Sequence, residues 1–182
     1  MKFSLIFVSA LLSLAAALPA TEDSAAAADP PPCGMRRRAV PFFRSFNPQI
    51  IDHFYTTNRA EDLNAIRNLG YRDEGISSRI FRTRQPGTVR FFRLFSPTLT
   101  DHFYTTNNAE RMNAIRNLGY NDEGVAGFIY RNGRCPGTVP FFRLFSPTGT
   151  DHFYTTNNAE RMNAIRNLGY NDEGIAGFVY PA

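Results

Sequence analysis

The chain has 182 residues, of which 43% are hydrophobic and 20% charged, and it carries a net charge of +4. This length allows one domain or two small ones, and the apolar fraction excludes a disordered protein. The chain is rich in aromatic residues, with 17 Phe and 8 Tyr but no Trp. It has no motif with recognised catalytic spacing, so composition indicates compartment and architecture more clearly than activity.

The first 17 residues have the pattern of a secretory signal peptide. Lys2 precedes the apolar run FSLIFVSALLSL, and Ala15 to Ala17 supply the small residues that a signal peptidase needs, with cleavage after Ala20 as the alternative. The apolar run is shorter than the about 20 residues of a membrane span. We therefore expect a secreted, extracellular protein without a membrane anchor.

Residues 18–38 form a low-complexity segment without apolar periodicity, which predicts a linker or a pro-segment. The segment ends in the basic run Arg36 to Arg38, which is either a processing site or a solvated basic patch. From Ala39 onward, 16 Arg are interspersed with 13 acidic residues. This mixture argues against nucleic acid as a partner.

The two cysteines can form a disulfide in a secreted chain. A bond between Cys33 and Cys135 closes a loop of about 100 residues, which stabilises by about 4 to 5 kcal/mol in the chain-entropy model. Cleavage after Arg38 either separates Cys33 from the domain or leaves two pieces tethered by this bond. Neither cysteine has neighbours at metal-ligand spacing, so no metal and no cofactor is predicted.

An internal repeat with a period of 49 to 50 residues occupies the rest of the chain. Its copies begin FFRSFNPQIIDHFYTTN, FFRLFSPTLTDHFYTTN and FFRLFSPTGTDHFYTTN, at Phe42, Phe91 and Phe141. The second and third copies match at 37 of 40 positions and the first and second at 26 of 40. We predict one domain over residues 39–182, with units at about 40–88, 89–138 and 139–182.

Each unit is predicted to fold as ββαβ. In the second unit, strands at Phe91–Phe95 and Asp101–Thr106 form a hairpin, and a helix follows over Asn108–Leu118 with an apolar stripe that ends at Leu118. The acidic segment Asn121–Gly124 is predicted to be a turn, and Val125–Tyr130 a third strand.

The fold class is therefore α+β, with three tandem ββαβ units. An open stack of such units would expose an apolar face, so we favour a closed pseudo-threefold, β-rich ring. A β-trefoil is the alternative. The helices argue against it, because twelve strands would leave little room for them.

Residues 40–181 resemble a secreted repeat family of unknown function, whose units read approximately YRLYNP, DHFYTT and GY or GW with EGIAGYVY. Members of that family occur in secreted fungal proteins and in bacterial cell-surface proteins, sometimes beside glycan-degrading domains. The resemblance implies attachment to carbohydrate or cell wall, and it offers no catalytic residues. The first unit departs from the pattern, with Ser77, Ser78 and Arg79 in place of Ala, Gly and an aromatic residue.

The repeated segment DHFYTTN supplies the candidate site residues. Adjacent Asp and His side chains on a strand point to opposite faces, so they cannot form a catalytic dyad with each other. A hydrogen-bonded role at a unit interface is favoured for the histidines, and a zinc site formed by all three is a sharper but weaker hypothesis. Strand alternation predicts that His, Tyr and Asn line a groove for a sugar ring. The predicted ligand-binding residues are His53, Tyr55, Asn58, His102, Tyr104, Asn107, His152, Tyr154 and Asn157.

The acidic turns at Glu74, Glu123 and Glu173 lack the dense oxygen ligands of a calcium loop, and a solvated turn is the favoured interpretation. No catalytic constellation is evident. We therefore predict a monomeric, non-catalytic binding module for cell-wall or extracellular glycan. A protein-interaction or inhibitor protein is the alternative, and a glycan hydrolase is less favoured.

Overall fold

The computed structural model describes residues 32–182 and is mostly β-sheet with three α-helices. The predicted signal peptide and most of the predicted linker lie outside the described residues. After a 3-10 turn at Arg36–Arg38, the elements in chain order are β1 (Val40–Asn47), β2 (Asp52–Thr56), α1 (Arg59–Asn68), β3 (Arg72–Ile80), β4 (Thr88–Ser96), β5 (Asp101–Thr105), α2 (Asn108–Asn117), β6 (Asn121–Tyr130), β7 (Val139–Ser146), β8 (Asp151–Thr155), α3 (Asn158–Asn167) and β9 (Asn171–Val179).

The element order ββαβ occurs three times along the described part of the chain. In the second stretch, β4 and β5 pair as an antiparallel hairpin in which Phe95 lies opposite His102. The helix α2 begins after Asn107, whose side-chain oxygen accepts hydrogen bonds from the N–H groups of Ala109 and Glu110. It ends before Gly119, where a φ of 74° favours glycine.

The third strand of each stretch begins earlier than the sequence predicts. Asn121–Gly124 belongs to β6 instead of forming a turn, and its pairing with β4 shifts register near Phe92. Gly124 has a φ of 86°, so the acidic segment is an irregular part of the strand that bends without leaving the sheet. The predicted turn was wrong, and the correction places the acidic side chains on the sheet.

The helix packing also differs in detail from the predicted stripe. Ala114 is the buried residue of α2, whereas Leu118 is 55% exposed. Ala114 packs against Leu94, Phe103 and Tyr120, with Ile115 partly buried beside them, whereas Leu118 lies at the C-terminal cap of the helix.

The strands are arranged in two sheets, in the orders β2-β1-β3 and β5-β4-β6-β9-β7-β8. The three stretches, which we call units 1, 2 and 3, contact one another through the ends of their third strands. Phe81 of unit 1 bridges Phe128 of unit 2, Tyr130 of unit 2 pairs with Phe178 of unit 3, and Tyr180 of unit 3 bridges Arg79 of unit 1. Each unit therefore contacts both of the others.

The central core contains the same three positions from every unit, nearly all of them excluded from solvent. These residues are Phe42, Tyr55, Ile80, Phe91, Tyr104, Ile129, Phe141, Tyr154 and Val179. The predicted disulfide is present between Cys33 and Cys135, and it ties the segment before β1 to the loop before β7. Within residues 32–182, no helix is long and apolar enough to cross a membrane.

Candidate functional site

The three tyrosines that were predicted to stack on a sugar are buried in the core, so that part of the predicted site was wrong. The exposed fraction of Tyr55 and Tyr104 is 0%, and that of Tyr154 is 1%. The Tyr104 hydroxyl donates to the Tyr55 carbonyl oxygen at 2.8 Å and accepts from the Tyr55 N–H at 2.8 Å. In the same way, the Tyr154 hydroxyl bonds the backbone of Tyr104, and the Tyr55 hydroxyl bonds the backbone of Tyr154. These hydroxyls connect units and do not face a ligand.

The histidines are hydrogen-bonded at unit interfaces, as the favoured interpretation predicted. His102 Nδ1 lies 2.6 Å from Asp52 Oδ2, and the His102 N–H donates to Asp52 Oδ1 at 2.8 Å. The ring lies between Phe95 of its own unit and Phe54 of the preceding unit, with centroids 4.6 and 4.9 Å away. Adjacent Asp and His do not pair, but Asp and His from neighbouring units do. The other pairs are His152 with Asp101 and His53 with Asp151.

The aspartates, and not the histidines, converge at the centre of the domain. Carboxylate oxygens of Asp52, Asp101 and Asp151 lie within 4.8 Å of one another, and all three residues are fully buried. Burial raises the pKa of Asp151, but the charge and hydrogen bonds of His53 and the Tyr170 hydroxyl outweigh it, so the pKa lies below its ordinary value. The three imidazoles line three different cavities, so they do not come together as the three-histidine zinc site requires.

Each interface contains a cavity, which we call an inter-unit cavity. The cavity between units 1 and 2 has a volume of about 220 Å³, and its counterparts measure about 260 and 210 Å³. Its lining comes from both units: Phe54, Glu61, Asn64, Ala65, Leu69 and Tyr71 from unit 1, and Arg93, His102 and Glu123 from unit 2. These volumes lie below the roughly 300 to 1,000 Å³ of pockets that enclose drug-sized ligands, and so they suit one small ring.

A charged bridge forms one wall of the inter-unit cavity. Arg93 donates to both carboxylate oxygens of Glu61, at 3.1 and 2.9 Å, and its Nε lies 2.8 Å from Glu123 Oε2. Burial raises the pKa of Glu61, but the hydrogen bonds from Arg93 and the Thr56 hydroxyl outweigh burial, so the pKa lies below its ordinary value. Glu61 is therefore ionised at neutral pH.

The predicted asparagines serve the helices. Asn58, Asn107 and Asn157 precede α1, α2 and α3, and each side-chain oxygen accepts two helix N–H groups. Asn58 also lines a smaller cavity of about 170 Å³ that shares Glu61, Arg93 and Glu123 with the larger one. The structure thus brings the histidine and the asparagine to opposite sides of one charged bridge.

Sequence reasoning missed most of the cavity. Glu123 was assigned to a solvated turn, Arg93 to a strand, and Asn64 and Leu69 to a helix without a further role. All four line a single cavity because two units meet there. The equal spacing of these residues in every copy was the available signal, but only the packing of units identifies which copies meet.

The fold and the cavities define a class: a β-rich protein with three α-helices and small cavities where stretches of the chain meet. A family model matches residues 41–180, and the chain belongs to that family, described as a domain of unknown function, DUF5648. Neither a curated protein nor a solved structure matches the chain.

Proposed function

We propose that the protein is a secreted, non-catalytic binding module for cell-wall or extracellular glycan, and that the inter-unit cavities are its binding sites. The observation that carries this proposal is the occurrence in one chain of three cavities whose linings correspond at eight positions. We further infer that the three units close into a pseudo-threefold ring, because their contacts run from unit 1 to 2, from 2 to 3 and from 3 to 1.

The chemistry of the lining supports a sugar as ligand. The apolar rim residue Leu69 is 56% exposed and lies with Phe54 on one side of the cavity, where the C–H face of a pyranose ring can pack. Asn64, Glu123 and His102 supply polar atoms that can orient hydroxyl groups. Such a combination of an apolar face and a few convergent polar groups is typical of small-ligand sites.

Repetition raises the affinity for a polymer. A single small cavity binds weakly, but linked sites on one chain engage a repetitive polymer with an effective concentration that multiplies their affinities. A lone cavity offers no such gain. The proposal therefore predicts stronger retention on insoluble polymer than on the corresponding monosaccharide.

The absence of a catalytic assembly in the cavity favours binding over hydrolysis. Glu61 and Glu123 share one guanidinium, and the lowered pKa of Glu61 keeps it from acting as a general acid at neutral pH.

A matched pair of variants tests the cavity as the site. Asn68 Nδ2 donates to Asn64 Oδ1 at 2.8 Å, and the corresponding asparagine pairs in α2 and α3 have the same distance. Changing either partner to Ala removes the same exposed hydrogen bond, but only one partner lines a cavity. The test triple is Asn64→Ala, Asn113→Ala and Asn163→Ala, and the control triple is Asn68→Ala, Asn117→Ala and Asn167→Ala.

The secreted chain is incubated with isolated cell walls and a panel of insoluble polysaccharides, and pelleted protein and released sugar are both measured. We expect saturable pelleting without sugar release, weakened in the test triple and preserved in the control triple. Release of sugar would indicate a hydrolase instead. Retention on no glycan would refute the proposal and favour the protein-interaction alternative.

A further inference from the structure

The side chains that line the inter-unit cavity, together with the buried aspartate behind its histidine, carry more negative than positive charge. Around the cavity of units 1 and 2 stand the carboxylates of Asp52, Glu61 and Glu123, against the guanidinium of Arg93 and the imidazole of His102. Even with the imidazole protonated, one carboxylate charge remains uncompensated. The other cavities have the same composition, from Asp101, Glu110, Arg143, His152 and Glu173 and from Asp151, Glu160, Arg44, His53 and Glu74.

Two polar atoms in this cavity are left for a ligand. His102 is only 9% exposed, and its Nδ1 donates to Asp52, yet its Nε2 has no hydrogen-bond partner among residues 32–182. The nearest carboxylate atom, Glu123 Oε2, is 3.7 Å from that nitrogen. Glu123 Oε2 forms an ion pair with Arg93 Nε, whereas Oε1 makes no hydrogen bond in the described part of the chain. The buried imidazole therefore presents an unpaired nitrogen to the cavity.

Both free atoms are acceptors when the imidazole is neutral. In the tautomer whose Nδ1–H donates to the Asp52 carboxylate, His102 Nε2 keeps a lone pair, and the carboxylate oxygen Glu123 Oε1 accepts hydrogen bonds. A ligand group that matches this surface donates several hydrogen bonds, carries positive charge and accepts none. A primary ammonium group has those properties.

We propose that each inter-unit cavity takes a protonated primary amine, and that the glycan is a polymer of amino sugars with free amino groups. This inference rests on the proposed function and narrows it to one ligand class. The apolar side of the cavity, at Phe54 and Leu69, receives the ring that carries the amine. N-acetylation removes the charge and adds an acceptor oxygen, so the acetylated polymer binds less well.

Overall charge cannot account for such binding. From Ala39 to the end, the chain has 16 Arg and 13 acidic residues, which is an excess of positive charge. A polycationic glycan is repelled by that excess, so retention must come from local acidic sites.

The test uses insoluble β-1,4-linked glucosamine polymer and the same material after chemical N-acetylation. The full secreted chain is compared with the triple variant Glu74→Gln, Glu123→Gln and Glu173→Gln. The control triple is Asp73→Asn, Asp122→Asn and Asp172→Asn, which removes the same number of charges from the adjacent residues. Those aspartates meet Arg59, Arg111 and Arg161 and line none of the three inter-unit cavities.

We expect the wild-type chain to bind the free-amine polymer about tenfold more tightly per site than the acetylated one, a difference of about 1.4 kcal/mol. The glutamine triple loses that preference and the asparagine triple keeps it. Because the preference is measured on the wild-type chain alone, it can be judged even if a variant fails to fold.

Equal retention on both polymers would overturn the amine inference and leave the glycan proposal standing. Retention on neither polymer nor on any other glycan would overturn both proposals. Loss of preference in the asparagine triple as well as in the glutamine triple would assign the effect to net charge and also refute the amine site.

Discussion

Replacing Tyr104 by Phe removes one hydroxyl and leaves two backbone groups without partners. The hydroxyl donates to the Tyr55 carbonyl oxygen and accepts from the Tyr55 N–H, both at 2.8 Å, in a site that solvent does not reach. An unsatisfied buried donor or acceptor costs about 1 to 3 kcal/mol. The two together should lower the free energy of unfolding by about 2 to 6 kcal/mol, a large part of the stability of a typical domain.

The assay is urea unfolding of Tyr104→Phe, with Tyr130→Phe as the matched control. The Tyr130 hydroxyl makes only long contacts, 3.3 Å to the Gly34 carbonyl oxygen and 3.5 Å to Tyr180, so its loss should cost much less. Amide hydrogen exchange supplies a local readout, since the Tyr55 N–H should lose protection in Tyr104→Phe alone. Equal destabilisation by both variants, with unchanged exchange at Tyr55, would refute the argument.

Three further predictions concern stability. Reducing the Cys33–Cys135 bond, whose partners are 102 residues apart, should lower the free energy of unfolding by about 4 to 5 kcal/mol, measured by thermal unfolding with and without reductant; a double serine variant that still responds to reductant would contradict it. Lowering the pH from 5 to 3 should destabilise the fold, because the charge and hydrogen bonds of His53 outweigh burial and lower the pKa of Asp151 in the folded state. The stability that this shift contributes is present above the unfolded-state pKa near 4 and is lost as the pH falls through the folded-state pKa. Urea midpoints that stay constant over this pH range would count against the prediction. Val179→Ile should destabilise by about 1 to 3 kcal/mol alone and less when combined with Ser78→Gly, and additive costs in a double-mutant cycle would disprove the coupling.

The last prediction follows from the way third strands pack on one another. A Cβ on Gly127 of unit 2 would lie 2.5 Å from Ile80 Cδ1 of unit 1, and Gly177 has the same relation to Ile129. At the third contact, between units 3 and 1, Ser78 stands at the position of the glycines and Val179 at the position of the isoleucines. At this contact a residue larger than glycine, Ser78, is therefore matched with a residue smaller than isoleucine, Val179. This pairing explains the departure of the first unit from the repeat at Ser78 as a matter of core packing.

Local signals in the sequence were sufficient to predict the elements within a unit. The hairpin depends on neighbouring β-favouring segments, and the helix start depends on Asn107, so both could be predicted from a short stretch of chain. The predicted side-chain exposure was less accurate. All five residues of β5 are buried, because neighbouring units cover both faces, and alternation therefore carries no information about which side faces solvent.

The cavities could not be predicted from the sequence, for a related reason. Glu61 of unit 1 is linked to Glu123 of unit 2 through Arg93, which also belongs to unit 2. No periodicity within one unit encodes the contact between Arg93 and Glu61. Charged residues with ordinary local roles became site residues when the units packed together. The disulfide could be predicted because compartment and cysteine count do not depend on packing.

The outer strands of the hairpins have a consequence for how such a domain can assemble. In β2, β5 and β8, the backbone N–H groups of His and Tyr that face away from the hairpin are bonded by Asp and Tyr side chains of another unit. A single unit thus carries both halves of a head-to-tail contact, with unprotected strand edges of the kind that recruit further copies. We therefore expect a chain containing one unit to self-associate, and the proposed ring closure predicts a homotrimer.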